Sequence, residues 1–226
     1  MGGREGKAVV CLSGGMDSCV CASLAMASHE SVFFLHGDYG QRTEKVERER
    51  FDALAGHFGA SGKMVCNLRH LAEIGGSSLT DTEIEVSDAD LESDQIPSSY
   101  VPFRNAHFLT VAVSWAEVLS AGSIYVGAVE QDSSGYPDCR REFYDAFEKV
   151  VDIGTRPETT IRILTPLIEL KKSEIVLLGQ KIDAPFQLTW SCYQSEDLAC
   201  GTCDSCALRL RAFREAGMED PIPYRG

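Results

Sequence analysis

The stretch "VVCLSGGMDSCVCASL", residues 9–24, combines three kinds of sequence in a short space. Apolar residues 9–12 come first, a polar turn with two adjacent glycines follows, and the remainder suits a helix. A short apolar run predicts a β-strand, and glycines between two periodic segments predict a tight turn. The stretch therefore predicts a strand, a turn and a helix in succession, which is the unit from which parallel sheets are built.

Similar short apolar runs recur along the chain, with longer helical patterns between them. Runs that are rich in β-branched residues and nearly continuous in apolar character are typical of strands covered on both faces. The predicted strands are residues 8–12, 31–35, 63–67, 123–129 and 160–164, and the predicted helices are 43–59, 105–119 and 140–151. This alternation predicts an α/β fold, a Rossmann-like parallel sheet with helices on both faces.

The charge and apolar content of the chain limit its partners. The chain has 226 residues and a formal net charge of −13. Duplex-binding proteins usually neutralise several phosphates with Lys and Arg, so this charge makes nucleic acid an unlikely partner. No stretch approaches the ~18 apolar residues of a membrane span, and the start of the chain lacks an uninterrupted hydrophobic signal region. We expect a cytoplasmic protein that does not bind a membrane.

The negative charge is concentrated between Leu71 and Phe103. This stretch holds eight Asp or Glu residues and no Lys or Arg. A run of like charges cannot pack into a core without partners and is typical of a solvated segment. The sequence therefore predicts a solvated loop here.

The turn after the first predicted strand has the composition of an anion site. Its glycines let the backbone approach a ligand closely, its two serines add hydroxyl donors, and backbone N–H groups at a helix start attract an anion. The candidate phosphate-binding residues are Ser13, Gly14, Gly15, Met16, Asp17 and Ser18. A plain glycine turn with Asp17 favouring the helix dipole is the alternative. The spacing is neither that of a Walker A loop nor that of a dinucleotide fingerprint.

Four of the nine cysteines are grouped near the end of the chain. They are Cys192, Cys200, Cys203 and Cys206, in a C-x7-C-x2-C-x2-C pattern. Four thiolates can form a closed tetrahedral zinc site, whereas an iron–sulfur cluster and a redox or disulfide pair are the alternatives. Such a site would crosslink a segment too short and polar to bury a core unaided. We predict a nucleotide-binding domain over residues 1–185 and a metal-binding segment over 186–226 packed on it.

Several motifs resemble one enzyme family. The "SGGMDS" element resembles the pyrophosphate loop of ATP pyrophosphatases, whose fold is of the adenine nucleotide α-hydrolase type. Together with it, further motifs resemble the 7-cyano-7-deazaguanine synthases of queuosine and archaeosine precursor biosynthesis. These motifs are "DYGQR" (38–42), "SSLTD" (77–81), "YVPFRN" (100–105), "GYPDCR" (135–140), "PLIELKKSE" (166–174) and "SCYQSEDLACGTCDSCALR" (191–209). Phe103 departs from the family pattern, in which a small residue, usually Gly, stands between Pro and Arg.

The resemblance implies a ligase reaction. Members of the family convert 7-carboxy-7-deazaguanine, ammonia and ATP into 7-cyano-7-deazaguanine. A carboxylate oxygen is a poor leaving group, so activation, by adenylation in our interpretation, would precede amide formation and dehydration to the nitrile. The resemblance further implies ATP, Mg²⁺ and Zn²⁺ as cofactors and a homodimer.

The resemblance also implies roles for residues outside the loop. Asp17 would lie near Mg²⁺ or cap the loop, and Lys172 would neutralise phosphate charge. Arg104 or Arg140 would face the carboxylate or the charged transition state. The residues implied in substrate binding are Arg104, Asp132, Tyr136, Asp138 and Arg140, with Asp132 and Asp138 as readers of the guanine-like edge.

Three other functions share parts of this sequence pattern. A homologue could attach a deazaguanine to a protein amine, and the accepted nucleophile would distinguish it. Related pyrophosphatases act on tRNA in thiolation or lysidine formation, although the acidity of this chain disfavours them. A nucleotide-sensing or protein-binding module without catalysis is the third alternative, disfavoured because the loop, Lys172 and the Arg and Asp groups are all present.

Overall fold

The computed structural model describes residues 4–91, 95–131 and 135–225. Within these ranges the chain forms a parallel sheet with helices on both faces. The strands are β1 Glu5–Cys11, β2 His29–Asp38, β3 Gly62–Asn67, β4 Ser123–Val126 and β5 Arg162–Leu164. The helices are α1 Met16–Ser28, α2 Glu44–Phe58, α3 His70–Ile74, α4 Arg104–Leu119, α5 Arg141–Gly154, α6 Lys172–Lys181 and α7 Asp204–Glu215.

The sheet has the order β3-β2-β1-β4-β5, and every pair of neighbours is parallel. The first three strands proceed outward from β1 on one side, and the chain then returns to the other side of β1 to form β4 and β5. A reversal of this kind opens a crevice at the carboxyl ends of the two strands that flank it. The predicted α/β fold is confirmed, and the topology places a crevice between the ends of β1 and β4.

The central strand supplies apolar side chains to both faces of the sheet. Val10 belongs to a core cluster that includes residues of α1, α2, α6 and α7, whereas Val9 belongs to a second cluster with residues of α4 and α5. Both valines are completely buried. Successive residues of a strand point to opposite faces, so the continuous apolar run of β1 is what two covered faces require. Phe213 of α7 lies in the first of these clusters.

The sequence predicts the end of α2 correctly but places the end of β4 too late. β4 ends at Val126, three residues before the predicted end. At the next residue, Gly127, an added Cβ would lie 2.9 Å from the backbone nitrogen of Ser18 and 2.9 Å from the carbonyl carbon of Asp17. The chain thus leaves the sheet where it must pass close to the start of α1. By contrast, α2 ends as predicted, because Gly59 adopts φ 63° and stops the helix.

Several hydrogen bonds tie the acidic segment between residues 71 and 103 to the rest of the protein. The guanidinium of Arg42 donates hydrogen bonds to the carbonyls of Ser78, Asp81 and Ile84, at 2.7, 2.8 and 2.7 Å respectively. Further along, the Ala89 N–H donates to the Thr202 carbonyl at 2.9 Å. The segment is exposed over much of its described length, as a solvated loop should be, but these hydrogen bonds hold its backbone in place.

Among the helices in the described ranges, none has both the length and the apolar character needed to cross a bilayer.

Candidate active site

A cavity of about 270 Å³ opens at the carboxyl ends of β1, β2 and β4. Residues from the turn after β1 form one wall, and the start of α4 forms another. A third wall comes from the segment that precedes and follows Cys192. The sequence-predicted residues that line it are Ser13, Gly15, Met16, Asp17, Ser18, Arg104, Tyr136 and Lys172.

The turn after β1, residues 13–18, is closed by its own hydrogen bonds. The Gly15 N–H donates to the hydroxyl of Ser13 at 3.2 Å, and the Ser18 hydroxyl donates to the Gly15 carbonyl at 3.0 Å. The two serine oxygens lie 3.1 Å apart. The helical bonding of α1 then begins with the Cys19 N–H donating to Gly15, which leaves the preceding N–H groups of the first turn without a helical partner. A helix start of this form attracts anions.

Gly14 needs to be glycine because of its conformation and its neighbours. Its φ is +90°, and a Cβ there would lie 3.0 Å from the Glu47 carbonyl and 3.1 Å from the Cβ of Arg50. The Gly14 carbonyl accepts a hydrogen bond of 2.9 Å from the Trp190 N–H. The turn is therefore packed between α2 and the segment around Cys192, at the cavity end of β1.

Asp17 and Lys172 form an ion pair in one wall of the cavity. The Lys172 ammonium donates to Oδ2 of Asp17, and both side chains are largely buried. The other carboxylate oxygen of Asp17, Oδ1, is buried and has no hydrogen-bond partner among the described residues. Carboxylate oxygens are the ligands that Mg²⁺ prefers, so the orphaned oxygen fits a divalent cation beside a phosphate group. The pair joins the start of α1 to the start of α6, which brings a cation to the anion-binding turn.

Arg104, the first residue of α4, reaches the opposite side of the cavity. One guanidinium nitrogen donates to the Tyr39 hydroxyl at 2.8 Å, and the group lies 5.0 Å from the centre of the Tyr39 ring. Burial raises the pKa of Tyr39 above its ordinary value, and the nearby Arg104 charge opposes part of that rise. The phenol is therefore neutral. Since a guanidinium has five N–H donors, the bond to Tyr39 leaves others for an anionic ligand.

The residues predicted to read the guanine-like edge occupy other positions. Asp138 is buried, and its Oδ2 accepts a 2.9 Å hydrogen bond from the Asn105 N–H near the start of α4. Burial raises the pKa of Asp138, and that hydrogen bond partly offsets the rise. Asp138 does not appear in the cavity wall, although Tyr136 and Cys139 do. Asp132 lies outside the described residues.

Arg140 is a predicted site residue that the structure does not bring to the cavity. It precedes α5 at the surface, about half of its side chain is exposed, and its guanidinium lies 3.7 Å from the exposed carboxylate of Glu142. Cys139 beside it faces the cavity, but burial, followed by the charge of Asp138, raises the pKa of its thiol to about 11. Cys139 is therefore a protonated, weakly nucleophilic thiol.

Sequence reasoning missed several cavity residues. Tyr39, Glu47 and Tyr193 all line the cavity. Glu47 accepts hydrogen bonds from the hydroxyl of Thr43 at 2.7 Å and from Gln41 at 3.1 Å, while burial raises its pKa. Tyr39 and Gln41 belong to the "DYGQR" motif, which therefore carried a usable signal for this wall of the cavity.

The four clustered cysteines converge on one point. The sulfur atoms of Cys192, Cys200, Cys203 and Cys206 all lie within 4.8 Å of one another, and those of Cys200 and Cys206 are 3.9 Å apart. Four thiolates about 2.3 Å from a tetrahedral ion would have sulfurs ~3.8 Å apart. Backbone N–H groups of Gln194 and Cys200 point at the Cys192 sulfur, at 3.4 and 3.3 Å. This spacing fits a single tetrahedral ion.

Fold and site together define a pyrophosphate-loop protein of the nucleotide-binding α/β class. Residues 7–217 match the family model described as queuosine biosynthesis protein QueC. The chain belongs to this family, as the motifs predicted. Two similar relatives, both called 7-cyano-7-deazaguanine synthase, are 59% identical in Chlorobium phaeobacteroides and 58% in Chlorobium phaeovibrioides. Each alignment spans 218 residues and covers 96% of both chains.

Solved structures of other proteins share the fold at low sequence identity. The U34-tRNA thiolase NcsA from Methanococcus maripaludis, with its 4Fe-4S cluster, is 12% identical with a TM-score of 0.50, over 80% of this chain and 58% of that one. A 4-thiouridine synthetase in complex with RNA and bound ATP is 19% identical, also with a TM-score of 0.50, over 79% of this chain and 41% of that one. Similarity at this level establishes the fold alone.

Proposed function

We propose that this protein converts 7-carboxy-7-deazaguanine to 7-cyano-7-deazaguanine with ammonia and ATP. Membership of a queuosine biosynthesis family and the names of its similar relatives support this reaction. The observation that carries the proposal is the arrangement of one cavity. The anion-binding turn and the Asp17–Lys172 pair lie on one side of it, and the Arg104 guanidinium lies on the other. A nucleotide and an acid substrate can thus meet there.

The turn at residues 13–18 would hold the β- and γ-phosphates of ATP. Its N–H groups and serine hydroxyls are neutral donors, and Lys172 would move from Asp17 toward phosphate charge. Asp17 Oδ1 would bind Mg²⁺, which supplies charge neutralisation at the phosphates when bound. This arrangement would leave the α-phosphate directed into the cavity, toward Arg104.

Arg104 would orient the substrate carboxylate for attack on the α-phosphorus. A new oxygen–phosphorus bond forms there, the bond from the α-phosphorus to the bridging oxygen breaks, and pyrophosphate leaves. Ammonia then attacks the carbonyl carbon, AMP departs with the former carboxylate oxygen, and a proton is lost to give the amide. Positive charge from Arg104 stabilises the oxyanion of that step. Neither step needs a covalent enzyme intermediate, in agreement with the raised thiol pKa of Cys139.

The amide would be dehydrated by the same groups. Its oxygen attacks the α-phosphorus of a second ATP, and pyrophosphate leaves again. The carbon–oxygen bond to AMP then breaks while nitrogen loses its two protons, which forms the nitrile. In this scheme each product molecule consumes two ATP and releases two AMP and two pyrophosphate.

We further propose that the four cysteines hold Zn²⁺ as a structural ion. Their number, their compact spacing and the N–H groups that point at the Cys192 sulfur support a closed tetrahedral site. A multi-iron cluster would need more room between the sulfurs than 4.8 Å allows. The division at residues 185 and 186, the homodimer and the cytoplasmic location stay predictions.

The reaction is tested by incubating the protein with 7-carboxy-7-deazaguanine, ¹⁵N-ammonium and MgATP and following the products by mass spectrometry. We expect a nitrile that carries ¹⁵N, a transient amide, AMP and pyrophosphate. Arg104→Lys should lose most of this activity, because a point charge cannot reproduce the guanidinium fork. A wild-type enzyme that forms no labelled amide or nitrile contradicts the proposal. Product only with a protein lysine as nucleophile would identify the protein-amine homologue instead.

A further inference from the structure

The segment around Cys192 connects the cysteine cluster to the cavity. Cys192 is one of the four clustered thiols, and its neighbour Tyr193 lines the cavity. The same segment is fixed on its other side, because the Trp190 ring N–H donates to the Ser195 carbonyl at 2.9 Å. A single peptide bond therefore separates a metal ligand from a cavity residue, and the position of Tyr193 follows from that of Cys192.

Tyr193 lies among groups that surround Arg104. Tyr193 lines the cavity together with Arg104 and Tyr39. The Tyr193 side chain also packs against the apolar cluster that contains Tyr39. The ring is thus held on the Arg104 side of the cavity, because Tyr39 is the hydrogen-bond partner of Arg104, and its phenol carries an O–H donor.

The three phenols near Arg104 come from distant parts of the chain. Tyr39 follows β2, Tyr136 precedes α5, and Tyr193 belongs to the segment that carries the cysteines. The hydroxyls of Tyr39 and Tyr136 already have partners, in Arg104 at 2.8 Å and in Ser99 at 2.9 Å. A partly buried guanidinium beside three phenols suits a planar, anionic aromatic ligand, because rings stack on the heterocycle while O–H groups and the guanidinium bind its oxygens.

We infer that Tyr193 contacts the aromatic carboxylate substrate in this cavity and contributes to its selection. The inference rests on the proposed function and assigns the wall built by the cysteine segment to the acid substrate rather than to ATP. The anion-binding turn lies beside Asp17 and Lys172, whereas Tyr193 packs against the cluster that contains Tyr39, the hydrogen-bond partner of Arg104, so the two substrates would be affected separately.

The test compares Tyr193→Phe with Tyr224→Phe in the zinc-loaded protein. Tyr224 follows α7 and packs against the apolar cluster that contains Cys192, but its hydroxyl donates to Asp220 at 2.6 Å, and Tyr224 does not line the cavity. Loss of one hydrogen bond to the ligand should raise the KM for the carboxylate substrate in Tyr193→Phe about fivefold to tenfold. The KM for ATP, the zinc content and Tm should stay at wild-type values. Tyr224→Phe should leave both KM values unchanged.

A second measurement separates this inference from the proposed function. Calorimetric titration with the carboxylate substrate alone requires no turnover, and Tyr193→Phe should bind it about fivefold to tenfold more weakly than wild type. Equal affinity of the two proteins, or an equal rise in both KM values, overturns the inference. Weaker binding by the variant together with a wild type that forms no nitrile overturns only the reaction. No binding by the wild type overturns both.

Discussion

The turn at residues 13–18 and the segment at residues 189–206 are two walls of one cavity, built by different means. The turn lies between a central strand and a core helix, and glycine conformation sets its shape. The second segment contains almost no regular structure before α7. Its shape depends on four cysteines that converge within 4.8 Å. Regular structure thus fixes one wall of the site, whereas the proposed ion would stabilise the other together with a small apolar cluster that includes Trp190 and Ile222.

A buried arginine gives the second wall its other support. Arg209 is 2% exposed and makes two hydrogen bonds to Asp220, at 2.7 and 2.9 Å. It also donates to the hydroxyls of Thr189 at 2.7 Å and Ser191 at 3.2 Å. These bonds tie α7 to the segment that precedes Cys192, the first of the clustered cysteines. The comparison predicts that the two walls respond differently to perturbation.

Metal removal should have the largest effect and should act on the second wall. Structural zinc contributes about 10–16 kcal/mol in zinc-finger peptides, so even a fraction of this should lower Tm by more than ~10 °C. Cys203→Ser should lose metal and stability together, whereas Cys66→Ser on β3, outside the cluster, should keep its metal. Metal analysis and thermal unfolding measure both. An apoprotein with the same Tm as the metal-loaded protein would contradict the claim that an ion stabilises the second wall.

Asp17→Asn should act on the first wall and spare the fold. The substitution keeps the shape of the side chain but removes the charge that faces Lys172 and the proposed cation. We expect a fall in turnover of about 10²- to 10³-fold with a small change in Tm. Asp52→Asn, at a partly exposed ion pair with Lys63, is the control for a lost charge and should retain activity. Steady-state kinetics that are unchanged in Asp17→Asn would remove the phosphate assignment.

Gly127→Ala should damage the first wall through packing. The new methyl would lie 2.9 Å from backbone atoms of Asp17 and Ser18, which cannot move without shifting the turn. We expect a loss of about 1–3 kcal/mol in the free energy of unfolding and a raised KM for ATP. Gly56→Ala in α2, where nothing lies within 4 Å of the added methyl, should instead gain about 0.5–1 kcal/mol. Denaturant unfolding measures both variants. If the two substitutions changed the free energy of unfolding in the same direction, the packing argument would be refuted.

The smallest expected effect is at Phe103, which precedes Arg104. Phe103 has φ +58°, and its exposed ring meets the edge of Phe143 at 5.9 Å. Phe103→Gly and Phe103→Ala lose the same ring, but only glycine adopts this conformation without penalty. The glycine variant should therefore be about 1 kcal/mol more stable than the alanine variant in denaturant unfolding. Equal stability would show that this backbone is not strained.

Local features made much of the fold predictable from the sequence. The run at residues 9–12 is apolar on consecutive positions, as a strand covered on both faces must be, and the glycines after it indicated the turn. Glycine would adopt the positive φ of Phe103 without penalty, whereas the phenylalanine gives no local signal of this conformation. In contrast, the early end of β4 depends on the contact of Gly127 with the turn after β1, which no local pattern records.

The cavity was less predictable because its residues meet only in the folded chain. Arg104 and Arg140 look equivalent in the sequence, but α4 begins at the cavity, whereas Arg140 stands at the surface beside Glu142. The cysteine pattern assigned a role to Cys192 but gave no signal for its neighbour Tyr193. Their adjacency in sequence said nothing about the different directions in which the two side chains point.

The hydrogen bond from the Trp190 N–H to the Gly14 carbonyl joins the two walls through main-chain atoms alone. Apart from proline at position 190, no substitution removes either bonding atom, so the side chains of both walls can change while this hydrogen bond stays. The backbones of the two walls are therefore coupled. A constraint on the backbone at Trp190 also limits the movement of the backbone at Gly14.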